Sequence, residues 1–335
     1  MLKGQNISYD SLPTDYKYAD VTFSMFEAAF KKVSKSNLTL KEYISFGLAD
    51  TDGTLKFAGL LFADDCPILQ SRVFCTHWNG LSKGSVSDDA IDSEEFEGDL
   101  TSLLKNSHNF VRLNSKVRWK KMSDHRINKP DYADRAIFEC LANALMHRDW
   151  SVIGSEVHVD MYSDRLEVYS PGGMPDGSLI QNLDIEEVPS IRRNPTIADM
   201  FHRLGYIERQ GSGIKKIRTE TSYLYGYSDD YTPRFSSTQS TFRVILRNMN
   251  YNLHGDTMQV TMQDSIQVAA QDGRGTALLA FCAIPRTREE MQQHIGIANR
   301  DYFRKDILTP LLQSGKLSMT IPDKPNSRNQ RYIKG

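Results

Sequence analysis

Glu139, Asn143 and His147 fall four residues apart in the stretch DYADRAIFECLANALMHRDW, residues 131–150. On a helix that spacing stacks a carboxylate, an amide and an imidazole along one edge. Three such groups can hold a hydrated metal ion and its phosphates: the amide as a neutral oxygen ligand, the carboxylate to orient water, the imidazole as a donor. A solvated helix edge with a buried asparagine cap would carry the same residues, and this stretch alone leaves both readings open. Two glycine motifs bear on the choice. In Ser170-Pro171-Gly172-Gly173-Met174-Pro175 the paired glycines permit backbone conformations that other residues resist. Gly211-Ser212-Gly213 opens a segment with helical periodicity through Ile214 and Ile217, with Lys215 and Lys216 just inside it. Free backbone N–H groups at such a start suit an anion such as phosphate, although a G-x-G pattern is common by chance.

The elements that must position these groups can be read from periodicity. Ala136, Ile137, Cys140, Leu141, Ala144 and Leu145 recur at three- and four-residue steps, so the first stretch is an amphipathic helix with one face in a core. Residues 155–169 alternate apolar and polar on both sides of a Ser163-Asp164 turn, the pattern of a β-hairpin that runs straight into the first glycine pair. Between the glycine motifs, Pro195 suits the first turn of a helix over 196–204. Arg192, Arg193 and Asn194 just before it are either donors that clasp phosphates bidentately or an exposed loop end. Residues 242–246 read as a closing strand.

In that order the motifs resemble the GHKL (Bergerat-fold) ATP-binding domain: Glu139-x-x-x-Asn143 on a helix, a hairpin, a glycine turn, and a glycine motif opening a second helix. AlaAsnAlaLeuMetHisArgAspTrp (142–150), SerProGlyGlyMetPro (170–175), ArgArgAsnProThrIleAlaAspMetPhe (192–201) and GlnGlySerGlyIle (210–214) resemble more closely the variant in RecG-related or Schlafen-like transcriptional regulators. The resemblance covers about residues 5–250. It implies an α+β fold, a GHKL-like α/β sandwich, with Glu139 as the water-orienting catalytic carboxylate and Asn143 as the Mg²⁺ ligand of a bound ATP. It further implies a nucleotide site formed by Asn143, His147, Ser170, Gly172, Gly173, Arg192, Arg193, Gly211, Ser212 and Gly213, with residues 181–209 as a lid. One position departs from the pattern. Where GHKL domains usually place an Asp to accept from the adenine amino group, this chain has Ser170-Pro171. A serine can accept a hydrogen bond without the charge that strengthens it.

The 335 residues leave room for two or three domains, and 39% hydrophobic with 25% charged residues is an ordinary globular composition. Cys66, Cys75, Cys140 and Cys282 form no CxxC, so neither a zinc site nor a disulfide framework is indicated, in keeping with a reducing cytoplasm. Neither a signal-peptide pattern nor an apolar run of about 20 residues is visible, and a cytoplasmic protein with no membrane partner is expected. Four regions are expected: an α/β region over 1–125, the GHKL-like domain over 126–250, a linker over 251–275 and a C-terminal domain over 276–335. In the first, helices are expected over 22–33, 38–46 and 96–111, a buried strand over 56–62 with a partner at 72–78, and solvated surface over the acidic run 88–97. Cys75 and His77 share a strand face and read as packing, and Asp50-Thr51-Asp52-Gly53 as a plain turn. In the family the sequence resembles, an AlbA-type DNA-binding domain precedes this region, and residues 2–13 resemble its tail. The basic stretch KVRWKKMSDHRINK (116–129) reads as a strand against the next domain, with Trp119 between Arg118 and Lys120 able to touch nucleic acid.

From Thr276 onward there are ten Lys or Arg against five Asp or Glu, while the whole chain nets −1. Three helical segments followed by two short strands resemble a winged helix. Its recognition helix would lie over 301–312, with Phe303, Ile307, Leu308, Leu311 and Leu312 buried and Arg300, Tyr302, Arg304 and Lys305 toward duplex DNA. Arg328 and Arg331 on the wing would meet phosphates or the minor groove. The resulting expectation is a transcriptional-regulator-like protein, a homodimer on double-stranded DNA, in which ATP with Mg²⁺ or another small ligand modulates DNA binding. A weak ATPase acting in DNA metabolism is the second reading. A scaffold with a degenerate pocket and a protein-binding winged helix is the third. Helicase activity is not expected, because no G-x-x-x-x-G-K-[ST] phosphate loop occurs.

Overall fold

A computed structural model describes residues 7–83, 90–188, 190–208, 213–251, 278–295, 303, 308, 311–312, 316–321 and 330–334. It divides the chain into two units, Met1–Gly255 and Asp256–Gly335. In chain order the first unit contains β1 (Pro13–Lys17), α1 (Ser24–Ser34), α2 (Leu40–Ser45), β2 (Thr54–Lys56), α3 (Phe57–Leu60), β3 (Arg72–Trp78), β4 (Ala90–Glu97) and α4 (Leu100–Asn114). Next come the hairpin strands β5 (Val117–Lys121) and β6 (Arg126–Pro130), then α5 (Asp134–Met146), β7 (Val157–Met161) and β8 (Arg165–Pro171). It closes with α6 (Pro195–Arg203), α7 (Gly213–Ser222), β9 (Arg234–Ser237) and β10 (Thr241–Arg247).

Strand alternation builds the central layer. Val73, Val159, Met161, Leu166, Val168 and Val244 are buried on one face of a six-stranded sheet, order β4-β3-β7-β8-β10-β9. Only β3 and β7 run parallel, and the other neighbours are antiparallel. Helix α4 lies against β3 and β4, α5 against β8, and α7 against α5. The result is a mixed sheet with helices on its apolar face, the α+β sandwich expected of a GHKL-like fold.

Three parts correct or refine the sequence expectation. No boundary falls at residue 125: β3 and β4 complete the same sheet as β7 to β10, and a continuous core of buried residues runs from Phe23 to Leu246. The apolar run 56–62 is a strand end followed by the short helix α3, in which Gly59 packs so closely that an added Cβ would stand 2.2 Å from the Leu48 carbonyl oxygen. The acidic run is solvated as expected, but is mostly the edge strand β4, whose Glu95 and Glu97 pair with Arg72 at 3.3 and 3.2 Å. Charged side chains on an edge strand also oppose unwanted pairing with another chain.

The ends of α5 and α6 are coupled. The Asn194 Nδ2 group donates to the carbonyls of Met146 and Arg148 at 2.8 Å each, closing the end of α5. Asn194 is also the residue that precedes α6, yet its side chain does not cap that helix. Buried Asp10 does so instead, its Oδ2 accepting from the Thr196 and Ile197 amides at 2.8 and 3.1 Å. Pro195 occupies the first turn of α6 as expected.

In the second unit, α8 (Arg288–His294) opens with a capping box. The Thr287 amide donates to Glu290 Oε2 at 2.8 Å and the Glu290 amide to Thr287 Oγ1 at 3.3 Å. Strands β11 (Leu317–Met319) and β12 (Tyr332–Lys334) pair antiparallel. Leu278, Cys282, Met291, Phe303, Leu308, Leu317 and Tyr332 form its core, with Leu311 and Leu312 packed against them.

Removing the cap with Asp10→Ala is expected to lower the stability of the first unit by about 1–2 kcal/mol in urea unfolding, whereas Asp10→Asn, which keeps an acceptor, loses less.

Candidate functional site

Helix α5 forms the floor of a cavity with about 1100 Å³ of free space, its open mouth included. Its polar edge faces that space: Glu139, Asn143 and His147 all line it, together with Ser170, Gly172 and Gly173 at the end of β8, Arg192, and Gly213 at the start of α7. Phe235, Phe242, Val168 and Val244 from the sheet, and Ile214 and Ile217 from α7, supply an apolar wall. The solvated-edge reading of α5 therefore fails for Glu139, which is 2% exposed.

Glu139 Oε1 lies 2.5 Å from Arg135 Nη2 and 3.6 Å from Lys216 Nζ. Burial raises its carboxyl above the ordinary glutamate range, and the two cations act against that rise. One turn on, Asn143 meets the start of α7. A Cβ at Gly213 would stand 2.7 Å from Asn143 Nδ2, so glycine is what lets the backbone of α7 approach the amide. The Asn143 side chain lines the cavity. At the end of the helix, burial first and then the charges of Arg193 and Arg192 push the His147 imidazole down to about 4, so it is neutral near pH 7.

Ser170 is buried, and its Oγ donates to the Ala144 carbonyl in the last turn of α5 at 2.7 Å. The glycine turn that follows is shaped by the protein itself. Gly172 has φ +103°, and a Cβ there would meet the Asp149 side chain at 2.8 Å. At Gly173 a Cβ would lie 2.2 Å from the Thr238 carbonyl oxygen in the β9–β10 turn. Both glycines line the cavity, and both are demanded by packing as well.

Arg193 does not line the cavity. Its Nη1 is 3.1 Å from Asp149 Oδ2 and its Nη2 donates to the Gly173 carbonyl at 2.6 Å, so the expected phosphate clasp with Arg192 is replaced by a clamp on the glycine turn. Along the expected lid, Gln181 exchanges two hydrogen bonds of 3.0 Å with the Ser237 backbone, and Glu186 pairs with Lys215 at 3.2 Å. Gly211 and Ser212 lie outside the described residues, as do Arg300, Tyr302, Arg304, Lys305 and Arg328 of the second unit. Arg331 is described and exposed.

Two residues beside the site have structural roles that the sequence did not signal. Arg148 is fully buried, donates to the carbonyls of Asp149, Val152 and Ser155, and stacks 4.7 Å from the Trp150 ring centroid, which fixes the loop after α5. Asn194, read as a donor to phosphate, closes α5 instead.

As a nucleotide site the residues fit in part. An amide turned to a glycine-opened helix start, a buried carboxylate beside it and an apolar wall are suited to phosphate with its cation and to a flat ring. Among the described residues no group of three or more His, Cys, Asp or Glu could hold a metal by itself. None of the described helices is long and apolar enough to cross a membrane.

Residues 154–246 match the HATPase_c_4 family, described as "Putative ATP-dependent DNA helicase recG C-terminal". Strands β7 to β10, the glycine turn and α7 thus fall within a HATPase-type match, while β3, β4 and α5 precede it. Residues 276–333 match the Fic-like_C family, the C-terminal domain of filamentation induced by cAMP protein Fic-like. Among solved structures, the DIP2311 protein from Corynebacterium diphtheriae is similar over 99% of this chain, with a TM-score of 0.60 and 17% identity, a likeness of fold. The chain spans 65% of that protein's length. A Fic family protein from Desulfovibrio desulfuricans G20 matches over 22% of this chain and 24% of its own, at 24% identity and a TM-score of 0.18, too low to carry an argument. No curated protein matches the chain.

Two outcomes check the site's construction. Ser170→Ala leaves a buried carbonyl without its donor and is expected to cost about 1–3 kcal/mol in urea unfolding, and Ser170→Asp more, since a carboxylate would face that carbonyl. His147, with a folded pKa of about 4 against an ordinary 6.5, contributes fully above pH 6.5. As pH falls from there toward 4 the unfolded chain takes up a proton that the folded protein refuses, and the contribution is lost. Between pH 7.5 and 5.0 the wild type should lose about 2 kcal/mol more than His147→Gln.

Proposed function

We propose that the cavity over α5 binds ATP with Mg²⁺ and that the chain is a nucleotide-responsive, DNA-linked regulator of the RecG-related, Schlafen-like kind. The observation that carries the reading is the convergence of Glu139, Asn143 and Gly213 in one cavity with an apolar wall, beside strands β7 to β10 and a glycine turn that match a HATPase family. Asn143 would hold the cation, whose other ligands would be phosphate oxygens and water. The free N–H groups opening α7 would meet the phosphates. Ser170 would accept the base's amino group, and the apolar side chains would cover its ring.

The second unit would contact duplex DNA as a winged helix. Its support is the capped helix α8, the two-stranded β11–β12 turn-back beside exposed Arg331, and the basic surplus beyond Thr276. Nucleotide would alter DNA binding only by favouring one arrangement of the protein over another. Hydrolysis is a second reading, favoured by one observation: Glu139 is a buried carboxylate in the cavity wall with its pKa raised, as suits a group that takes a proton from water.

The test is thermal unfolding of the wild type and Asn143→Ala against rising ATP, with and without Mg²⁺. A ligand at a hundred times its dissociation constant adds about 2.7 kcal/mol, a rise of several degrees in Tm. The expected result is a Mg²⁺-dependent rise in the wild type alone. No response from the wild type overturns the nucleotide reading. Phosphate release lost in Glu139→Ala while the Tm rise persists would establish hydrolysis.

A further inference from the structure

The hairpin β5–β6 has no part in the cavity. It stands outside the six-stranded sheet as a two-stranded ribbon of its own. Its base is fixed by the Lys116 amide donating to Asp131 Oδ2 at 2.7 Å and by Asn250 Nδ2 donating to the Lys129 carbonyl at 2.9 Å. The ribbon and its approach, residues 116–129, hold six Lys or Arg against a single Asp in a chain that nets −1.

Register sorts these residues onto two faces. Trp119 lies opposite Asn128 and Lys121 opposite Arg126, so the four share one face. All four are exposed, Trp119 to 60%. The Arg126 guanidinium is 6.0 Å from the centre of the Trp119 ring. On the other face Lys120 and Lys129 lie 5.8 and 5.9 Å from the ring of Tyr225, which is 42% exposed. Lys and Arg on a free ribbon edge guard against pairing with another chain. That purpose accounts for the cations and does not account for a large apolar ring held in water among them.

We propose that the β5–β6 ribbon is a binding surface for single-stranded nucleic acid, with Trp119 as a stacking platform for a base and Lys121 and Arg126 as partners for the flanking phosphates. Basic groups that track a phosphate backbone, interleaved with aromatic rings that accept any base face, are the physical requirements for holding a single strand. A duplex keeps its bases stacked on one another and offers a ring such as Trp119 nothing to stack on unless it is kinked. The surface lies wholly in the first unit and is independent of the nucleotide reading and of the C-terminal DNA contact.

The test uses the full chain and a fluorescein-labelled dT20 strand, followed by anisotropy at several NaCl concentrations. A 20-base-pair duplex and vesicles containing phosphatidylserine are the alternative ligands. Trp119→Ala should weaken dT20 binding about 5- to 100-fold with unchanged Tm, and Trp119→Phe should restore most of it. Lys121→Ala with Arg126→Ala should flatten the salt dependence by about one to two in slope. Lys31→Ala with Lys32→Ala, an equal loss of exposed charge on α1, should change nothing. The proposal is overturned if the wild type does not hold dT20 at low salt, or if Trp119→Ala binds it like the wild type. It is equally overturned if Trp119→Ala weakens duplex or vesicle binding as much as it weakens dT20. Failure of ATP to raise the Tm leaves these outcomes unaffected, so the two proposals stand or fall separately.

Discussion

A helix that ends inside a protein leaves its last carbonyls without partners, and burying such groups unpaired costs free energy comparable to lost hydrogen bonds. The end of α5 is in that position, and much of the first unit is arranged to satisfy it. The hydroxyl of Ser170 reaches the Ala144 carbonyl, and the Asn194 amide reaches those of Met146 and Arg148. Spending Asn194 on α5 leaves α6 without a cap from its own sequence, and Asp10 supplies one from the other end of the unit. The neighbour of Asn194, Arg193, then grips the Gly173 carbonyl and Asp149. The cavity floor, the glycine turn and the approach to α6 are thereby held to one helix end.

The electrostatics follow from the same arrangement. Glu139 keeps its place in the cavity wall through Arg135 and Lys216, since a buried carboxylate without cations would give up its charge. His147, with Arg192 and Arg193 nearby, stays neutral and offers one donor and one acceptor. Arg193 is occupied within the protein, and the cavity is lined instead by the start of α7 at Gly213, the Asn143 amide and Arg192 as groups able to face negative charge. Among the described residues no cluster of carboxylates could hold a divalent cation by itself, so in the proposed site Asn143 would need phosphate oxygens as fellow ligands. Cation and phosphate would have to enter together.

What was legible in the sequence was what local pattern dictates. The 3.6-residue apolar spacing of α5, the alternation of β7 and β8, Pro195 at the head of α6 and the Thr287-x-x-Glu290 box all carry their signal within a few residues. The run 56–62 misled because a short apolar segment has no distinctive period, and the helix α3 occupies its middle. The membership of β3 in the sheet depends on parallel pairing of Val73 with Val157, and nothing near either residue announces it. Among the site residues, Glu139, Asn143 and His147 were visible because four-residue spacing puts them on one edge. The roles of Arg193 and Asn194 were not, because basic and amide side chains before a proline look alike whether they face a ligand or brace a helix end.

Ser170 joins these two levels. Compared with an Asp at this place, a serine looks like a weakened acceptor, yet an Asp here would turn a carboxylate on the Ala144 carbonyl where a donor is needed. The serine is therefore a requirement of the buried helix end. Its proton is committed to that carbonyl, so the oxygen can face the cavity only with lone pairs. Such an oxygen can receive an exocyclic amino group and would repel a carbonyl in the same position. In the proposed nucleotide site the serine would remove charge from the base end of the cavity while still telling an amino group from a keto group.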